Sequence, residues 1–306
     1  MTAESDTSVC RNRHADNGTR FDRKTVLVDG LSTSYLEAGE GEPVILLHGG
    51  EFGAAAELGW EHTIAALATR YRVLAPDLLG YGHTAKVIDF TDGRGMRTRH
   101  VARLCALLDI ESAHFVGNSM GAIMLLNDAT SAAPVLPVRS IVSICGGGEI
   151  QRNGHMQALQ DYGATIPAMR RIVAALFHDP SYPADIDFVQ RRYDSSMLPG
   201  AWEAVAAARF RRPGASPPPN PTTDRRYERI TVPTLVVEGG GDKLLPPGWA
   251  AQIAQRIAGA RSAVVEAAGH CPQIEQPGVV NALLLDFFDK QRVAEHETKG
   301  GARHGR

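Results

Sequence analysis

The sequence predicts an α/β fold, a mostly parallel eight-stranded sheet with helices on both faces and an inserted helical cap. Three observations carry this. Short continuous apolar runs alternate with segments of helical spacing, as strands covered on both faces do. A serine between glycines, Gly117-Asn118-Ser119-Met120-Gly121, sits directly after one such run and before a helical segment. Finally, the alternation stops between 149 and 229, where strand signals give way to helical ones.

The elements follow in order. Residues 1–22 are polar and charged, without the apolar stretch of a signal peptide, and read as a disordered leader. Lys24 to Val28 and Ser32 to Glu37 read as an antiparallel pair turning at Asp29-Gly30. Val44 to Leu47 is the first core strand, Ile64 to Tyr71 a helix and Val73 to Ala75 the next strand. Arg97 to Leu108 places Val101, Leu104, Cys105 and Leu108 on one helical face. Ala113 to Val116 is the strand before Ser119, and Ala122 to Asn127 the helix after it. Ile141 to Ile144, Leu235 to Val237 and Ala263 to Val265 are further strands, the last two flanking a helix from Gly248 to Ile257. Val279, Val280, Leu283, Leu284, Phe287 and Phe288 mark a final amphipathic helix.

These boundaries divide the chain into a core of 23–148 with 230–293, a cap of 149–229, and a flexible tail of 294–306. The cap ends in a proline-rich hinge, Pro213 to Pro219. Open α/β sheets bind ligands outside the strand C-terminal ends, so a cap at this point of the chain is expected to cover a small-molecule site.

Composition excludes several function classes. Lys plus Arg number 32 against 34 Asp plus Glu, so no basic surplus supports nucleic-acid or anionic-membrane binding. No apolar run approaches the length of a membrane span. The four cysteines, Cys10, Cys105, Cys145 and Cys271, are scattered without zinc or disulfide spacing, which fits a cytoplasmic protein. His62, His83, His100, His114, His155 and His178 share no ligand spacing, so no metal is expected. Neither Gly80-Tyr81-Gly82 nor Gly239-Gly240-Gly241 opens a helix as a dinucleotide fingerprint does, and no cofactor is expected. Composition leaves a homo-oligomer open.

A serine on a tight strand-to-helix turn needs a base, and the base an orienting acid, each on a loop after a later strand. Asp242 follows the strand at Leu235, and His270 follows the strand at Ala263, in the chain order this architecture uses. Ser119 is therefore the candidate nucleophile, His270 the base and Asp242 the acid, with Glu238 in reserve. The Met120 N–H and a second N–H from His48-Gly49-Gly50-Glu51, assigned to Gly50, would form the oxyanion hole. His48 reads as a brace for that loop.

With these motifs, together with Ala75-Pro76-Asp77-Leu78-Leu79-Gly80-Tyr81-Gly82, the chain resembles the α/β-hydrolase superfamily from about Val26 to Lys290. Within it, the Gly-Asn-Ser-Met-Gly elbow, the cap segments Phe177 to Pro180 and Phe188 to Tyr193, and the Gly269-His270-x-x-Gln273-x-Glu275 frame look like those of the meta-cleavage-product hydrolases. These enzymes split carbon–carbon bonds in ring-opened aromatics. The resemblance implies that Asn118 and Arg192 contact the substrate, Arg192 at its 2-oxo/carboxylate end. It also puts Gly49, Glu51 and Cys271 at the substrate pocket. The chain departs from the family pattern at Cys271, where tryptophan is usual, at Glu51-Phe52, where the glycine run would continue, and at His62, where asparagine is expected. A carboxylate at Glu51 facing the pocket would disfavour an acidic substrate.

The expected function is a cofactor-free Ser-Asp-His hydrolase cleaving a C–C bond in a 2-hydroxy-6-oxo-dienoate-type substrate. A carboxylesterase or lactonase, or a non-hydrolytic member of the fold, would use the same residues.

Overall fold

The computed structural model describes residues 12–16, 19–207 and 225–301. The strands are β1 (Asn12–Asp16), β2 (Thr19–Val28), β3 (Leu31–Ala38), β4 (Pro43–Leu47), β5 (Arg72–Pro76), β6 (Ala113–Asn118), β7 (Val138–Ile144), β8 (Thr234–Gly239) and β9 (Arg261–Val265). They form one sheet in the order β1-β2-β3-β5-β4-β6-β7-β8-β9. All pairings from β5 onward through β4 to β9 are parallel, and β1, β2, β3 and β5 pair antiparallel.

The eight expected strands fall on β2 to β9. The ninth, β1, lies in the segment read as a disordered leader, and β2 also begins inside it. The ladder from Asn12↔Arg23 to Asp16↔Thr19 places both strands in the sheet. Backbone pairing supplied by a neighbouring strand explains a strand whose own sequence, Asn-Arg-His-Ala-Asp, has no apolar alternation.

The central strands are buried because the sheet is covered on both faces. Leu46, Leu47, Phe115, Val116 and Val142 have no exposed surface. Each such side chain contributes about 1.5–3 kcal/mol by leaving water. Helix α1 (Ala56–Leu67) packs against α11 (Pro277–Gly301), and α2 (Gly93–Leu107) against α3 (Met120–Thr130). Helix α11 runs through most of the segment read as a tail. Ala294, Glu295, Glu297 and Lys299 are good helix formers and let it propagate.

Between β7 and β8 come α4 (Gly154–Gln160), α5 (Ile166–Leu176), α6 (Ser181–Ala184), α7 (Ile186–Ser196) and α8 (Ala201–Ala207). Thr165 and Asp185 cap α5 and α7 by accepting from the N–H groups of Ala168 and Phe188. Helix α5 buries Met169, Ile172, Val173 and Leu176. The expected hinge, Pro213 to Pro219, lies outside the described residues. Helix α9 (Trp249–Ala254) links β8 to β9, and the short α10 (Pro272–Glu275) precedes α11.

Candidate active site

The loops after β4, β6, β8 and β9 converge on Ser119. The serine has φ +50° and ψ −110°, a conformation L-residues rarely adopt. Close packing around this turn requires its flanking glycines. A Cβ at Gly117 would lie 2.4 Å from the Ala122 nitrogen, and one at Gly121 would lie 2.3 Å from the Leu47 oxygen. The turn thus presses β6, α3 and β4 together and leaves the serine at its apex.

His270 Nε2 lies 2.8 Å from Ser119 Oγ, and His270 Nδ1 lies 2.8 Å from Asp242 Oδ2. Asp242 Oδ1 accepts from the Leu244 N–H at 2.8 Å. With a carboxylate at Nδ1, that nitrogen carries the proton and Nε2 is free to take one from the serine. Burial lowers the proton affinity of His270. Asp242 outweighs this, Glu51 adds to it, and the histidine's pKa is raised overall. Burial pushes the Asp242 carboxyl up, but the His270 charge and hydrogen bond bring it below its ordinary value.

Glu238, the reserve acid, is committed elsewhere. Its two carboxylate oxygens accept from the N–H groups of Gly248 at 2.8 Å and Ala250 at 3.1 Å, at the start of α9. The acid beside the imidazole is Asp242.

The loop after β4 is fixed by side chains behind it. His48 Nδ1 donates to the Gly49 carbonyl at 2.7 Å and its Nε2 accepts from the Leu78 N–H at 3.0 Å. Both ring nitrogens are spent on backbone, and burial lowers the histidine's pKa, so it stays neutral as a brace. Tyr81 donates its hydroxyl to the Gly50 carbonyl at 2.9 Å. Gly50 lies against Met120, where a Cβ would come within 2.8 Å of Met120 Sδ. The two residues assigned to the oxyanion hole are thus side by side.

Asn118 is buried beside the serine, and its amide is engaged within the protein. Nδ2 donates to the His270 carbonyl at 2.9 Å and the Ile144 carbonyl at 3.3 Å. Cys271 is buried with Sγ 3.9 Å from Asn118 Oδ1. Arg192, on α7, is 1% exposed and forms an ion pair with Glu51. The resemblance placed Arg192 and Glu51 separately at the pocket, but the structure joins them. His62 contributes its backbone carbonyl to Asn281 Nδ2 at 3.1 Å.

Three supporting residues escaped assignment from sequence. Asp77 accepts from the Ala56 N–H at 2.8 Å and the His83 N–H at 2.9 Å, and pairs with Arg23. Glu275 accepts from the N–H groups of Gly269, His178 and Asp179, tying the histidine loop to the segment after α5. Lys243 donates to the carbonyls of Ala174 and Phe177, holding the acid loop to the end of α5. Asp77 and Glu275 stand in motifs quoted from the sequence and Lys243 does not, and each has a partner that only the fold brings near, 21, 97 and 69 positions away.

Among the described residues, Cys145, Asp242 and His270 bring potential metal-ligating atoms within 4.8 Å of one another. Two of these are already joined in the Ser119 relay, and burial raises the Cys145 thiol well above its ordinary range.

This strained serine, addressed by a histidine and a buried aspartate on successive strand-end loops, defines a hydrolase of the α/β class. The chain belongs to the alpha/beta hydrolase family, whose profile matches residues 44–283. It is 32% identical over 266 residues to 2-hydroxy-6-oxo-6-(2'-aminophenyl)hexa-2,4-dienoic acid hydrolase of Metapseudomonas resinovorans, covering 86% of this chain and 89% of that one. It is 28% identical to 2-hydroxy-6-oxo-2,4-heptadienoate hydrolase of Pseudomonas putida, covering 87% and 95%. The structure is similar to a meta-cleavage product hydrolase from Pseudomonas fluorescens IP01 complexed with acetates. The TM-score is 0.77 at 28% identity, covering 88% of this chain and 98% of that one. Among the described residues, no helix is long and apolar enough to cross a membrane.

Proposed function

We propose that this protein is a cytoplasmic, cofactor-free serine hydrolase. It would break a carbon–carbon bond next to a ketone in a vinylogous diketone of the 2-hydroxy-6-oxo-dienoate type. The single observation that carries the hydrolase reading is the unbroken relay from Ser119 Oγ through His270 to Asp242, both links at 2.8 Å. Similarity to the dienoate hydrolases directs it toward C–C bonds.

In this reading His270, with Ser119, moves the dienol proton to carbon and so generates the keto form. Ser119 Oγ then attacks the ketone carbonyl as its proton passes to His270. The oxyanion develops beside Met120 and Gly50. The C–C bond breaks with its electron pair leaving on the dienol fragment, which takes the proton from His270. Water, deprotonated by His270, releases the acyl group as a carboxylic acid. Asp242 holds the imidazole in the tautomer that both steps need.

The test is hydrolysis of 2-hydroxy-6-oxo-6-phenylhexa-2,4-dienoic acid and its methyl ester, followed by benzoate release, alongside p-nitrophenyl butyrate. Benzoate release that disappears in Ser119→Ala supports the reading. Rapid turnover of the p-nitrophenyl ester with both dienoate compounds inert would make the protein an esterase.

A further inference from the structure

We propose that Glu51 supplies the carboxylate that Arg192 binds, so that the substrate end lodged beside this pair is uncharged: an ester, amide or ketone in place of a free acid. This inference rests on the hydrolase reading of the same site and adds its charge selectivity.

The pair adjoins the reacting centre. Glu51 and Arg192 line one small cavity with Gly49 of the oxyanion loop, Asn118 beside the nucleophile and Cys271 beside the base. Glu51 Oε1 accepts from Arg192 Nη2, and both side chains are at least nine-tenths buried. The other Glu51 oxygen lies over Gly49, where a Cβ would come 2.4 Å from Oε2. Glycine at 49 therefore gives this carboxylate its place. The remaining cavity is about 10 Å³, room for about one water.

The charge balance follows from this geometry. Arg192 packs between the Phe177 and Phe188 rings, at 5.9 and 5.8 Å from their centroids, in surroundings that screen charge poorly. Glu51 neutralises it there. Burial alone would push the Glu51 carboxyl up, but Arg192 brings it below its ordinary value, so the carboxylate stays ionised. A substrate carboxylate brought to this point would find the guanidinium already taken and a like charge beside it, in low dielectric. A neutral carbonyl meets no such repulsion. Among the described residues Arg192 Nε is buried without a hydrogen-bond acceptor, a donor of the same guanidinium that the Glu51 pair leaves over.

Benzoate release from 2-hydroxy-6-oxo-6-phenylhexa-2,4-dienoic acid and from its methyl ester tests this. The wild type should favour the methyl ester in kcat/KM, on the order of 10- to 100-fold, the span of one charge-assisted hydrogen bond. Glu51→Gln, which frees the Arg192 charge, should turn the preference toward the acid. Glu51→Asp should retain the wild-type preference, and Glu51→Gln with Arg192→Met should abolish the gain for the acid. A wild type that prefers the acid, or a folded Glu51→Gln with an unchanged ratio, overturns the proposal. Should Glu51→Gln fail to fold, the wild-type ratio decides. If neither compound releases benzoate, the C–C reading fails by itself. The charge preference is then read from p-nitrophenyl butyrate against p-nitrophenyl hemisuccinate: preference for the neutral ester upholds it, and preference for the acid overturns it.

Discussion

Asn118 donates its side-chain N–H to the backbone carbonyl of His270 at 2.9 Å, so the residue before Ser119 holds the histidine whose ring is hydrogen-bonded to Ser119. The same amide group reaches the Ile144 carbonyl at the end of β7. Three strand-end loops are thereby fixed to one side chain. Asn118→Ala would leave these buried carbonyls without that donor, at a cost of about 1–3 kcal/mol in stability. It would also loosen the imidazole. The expected result is a kcat lower by about 10- to 100-fold with KM little changed, because the lost interaction sets geometry rather than substrate affinity. Steady-state kinetics beside a thermal melt separate the two effects. A KM increase at constant kcat would assign Asn118 to substrate binding instead.

Asp77 anchors the opposite side of the site. It receives the first N–H of α1 and the N–H of His83, and it pairs with Arg23. Asp77→Ala should cost about 3 kcal/mol, since the buried Ala56 N–H and the partly buried His83 N–H lose their acceptor. Gly82 faces this carboxylate with φ +48°, and a Cβ there would come 2.2 Å from Asp77 Cγ. Gly82→Ala should therefore destabilise comparably, by strain and displacement of the same side chain. Chemical denaturation of both variants checks this, and the double variant should fall well short of additivity.

The parts of the fold legible in the sequence are those where local chemistry dictates structure. Val44 to Leu47 and Ala113 to Val116 read as strands because a strand covered on both faces must be apolar throughout. Gly117 and Gly121 marked the elbow because backbone atoms fill the space a Cβ would need. What stayed hidden depends on partners brought by the fold. Asn12 to Asp16 has no strand pattern of its own and takes its place through β2. Glu51 and Arg192 lie 141 positions apart, and nothing in either neighbourhood announces the other. Glu238 and Asp242 flank one glycine run, and only the positions of α9 and His270 show which acid caps the helix and which pairs with the imidazole.

That distinction gives a third prediction. Asp242→Asn should reduce kcat by about 10⁴-fold with little loss of stability, because the amide disturbs the imidazole tautomer while preserving shape. Glu238→Ala should do the reverse. It removes the acceptor for the first N–H groups of α9 and costs about 0.5–2 kcal/mol, with kcat nearly unchanged. Melting temperature and kcat measured on both variants give a crossed pattern. If Glu238→Ala instead lost activity in proportion to Asp242→Asn, the reserve acid would have a part in the chemistry.

The pH profile follows from the charges around His270. Burial favours the neutral imidazole, but Asp242 at 2.8 Å and then Glu51 favour the protonated one, and the balance lies above the ordinary value of about 6.5. The base must be neutral at Nε2 to accept the Ser119 proton. Activity therefore requires the deprotonated form and is lost as pH falls through this raised pKa, placing the acid limb of kcat/KM on the alkaline side of free histidine. Glu51→Gln removes one of the charges that raise it, so the limb should move to lower pH while Ser119, His270 and Asp242 all remain. Glu51→Asp should leave it near the wild-type position. Profiles measured on p-nitrophenyl butyrate, whose neutral acyl chain keeps substrate ionisation out of the measurement, report the shift directly. A limb that stays fixed in Glu51→Gln would mean that Arg192 screens Glu51 from the imidazole completely.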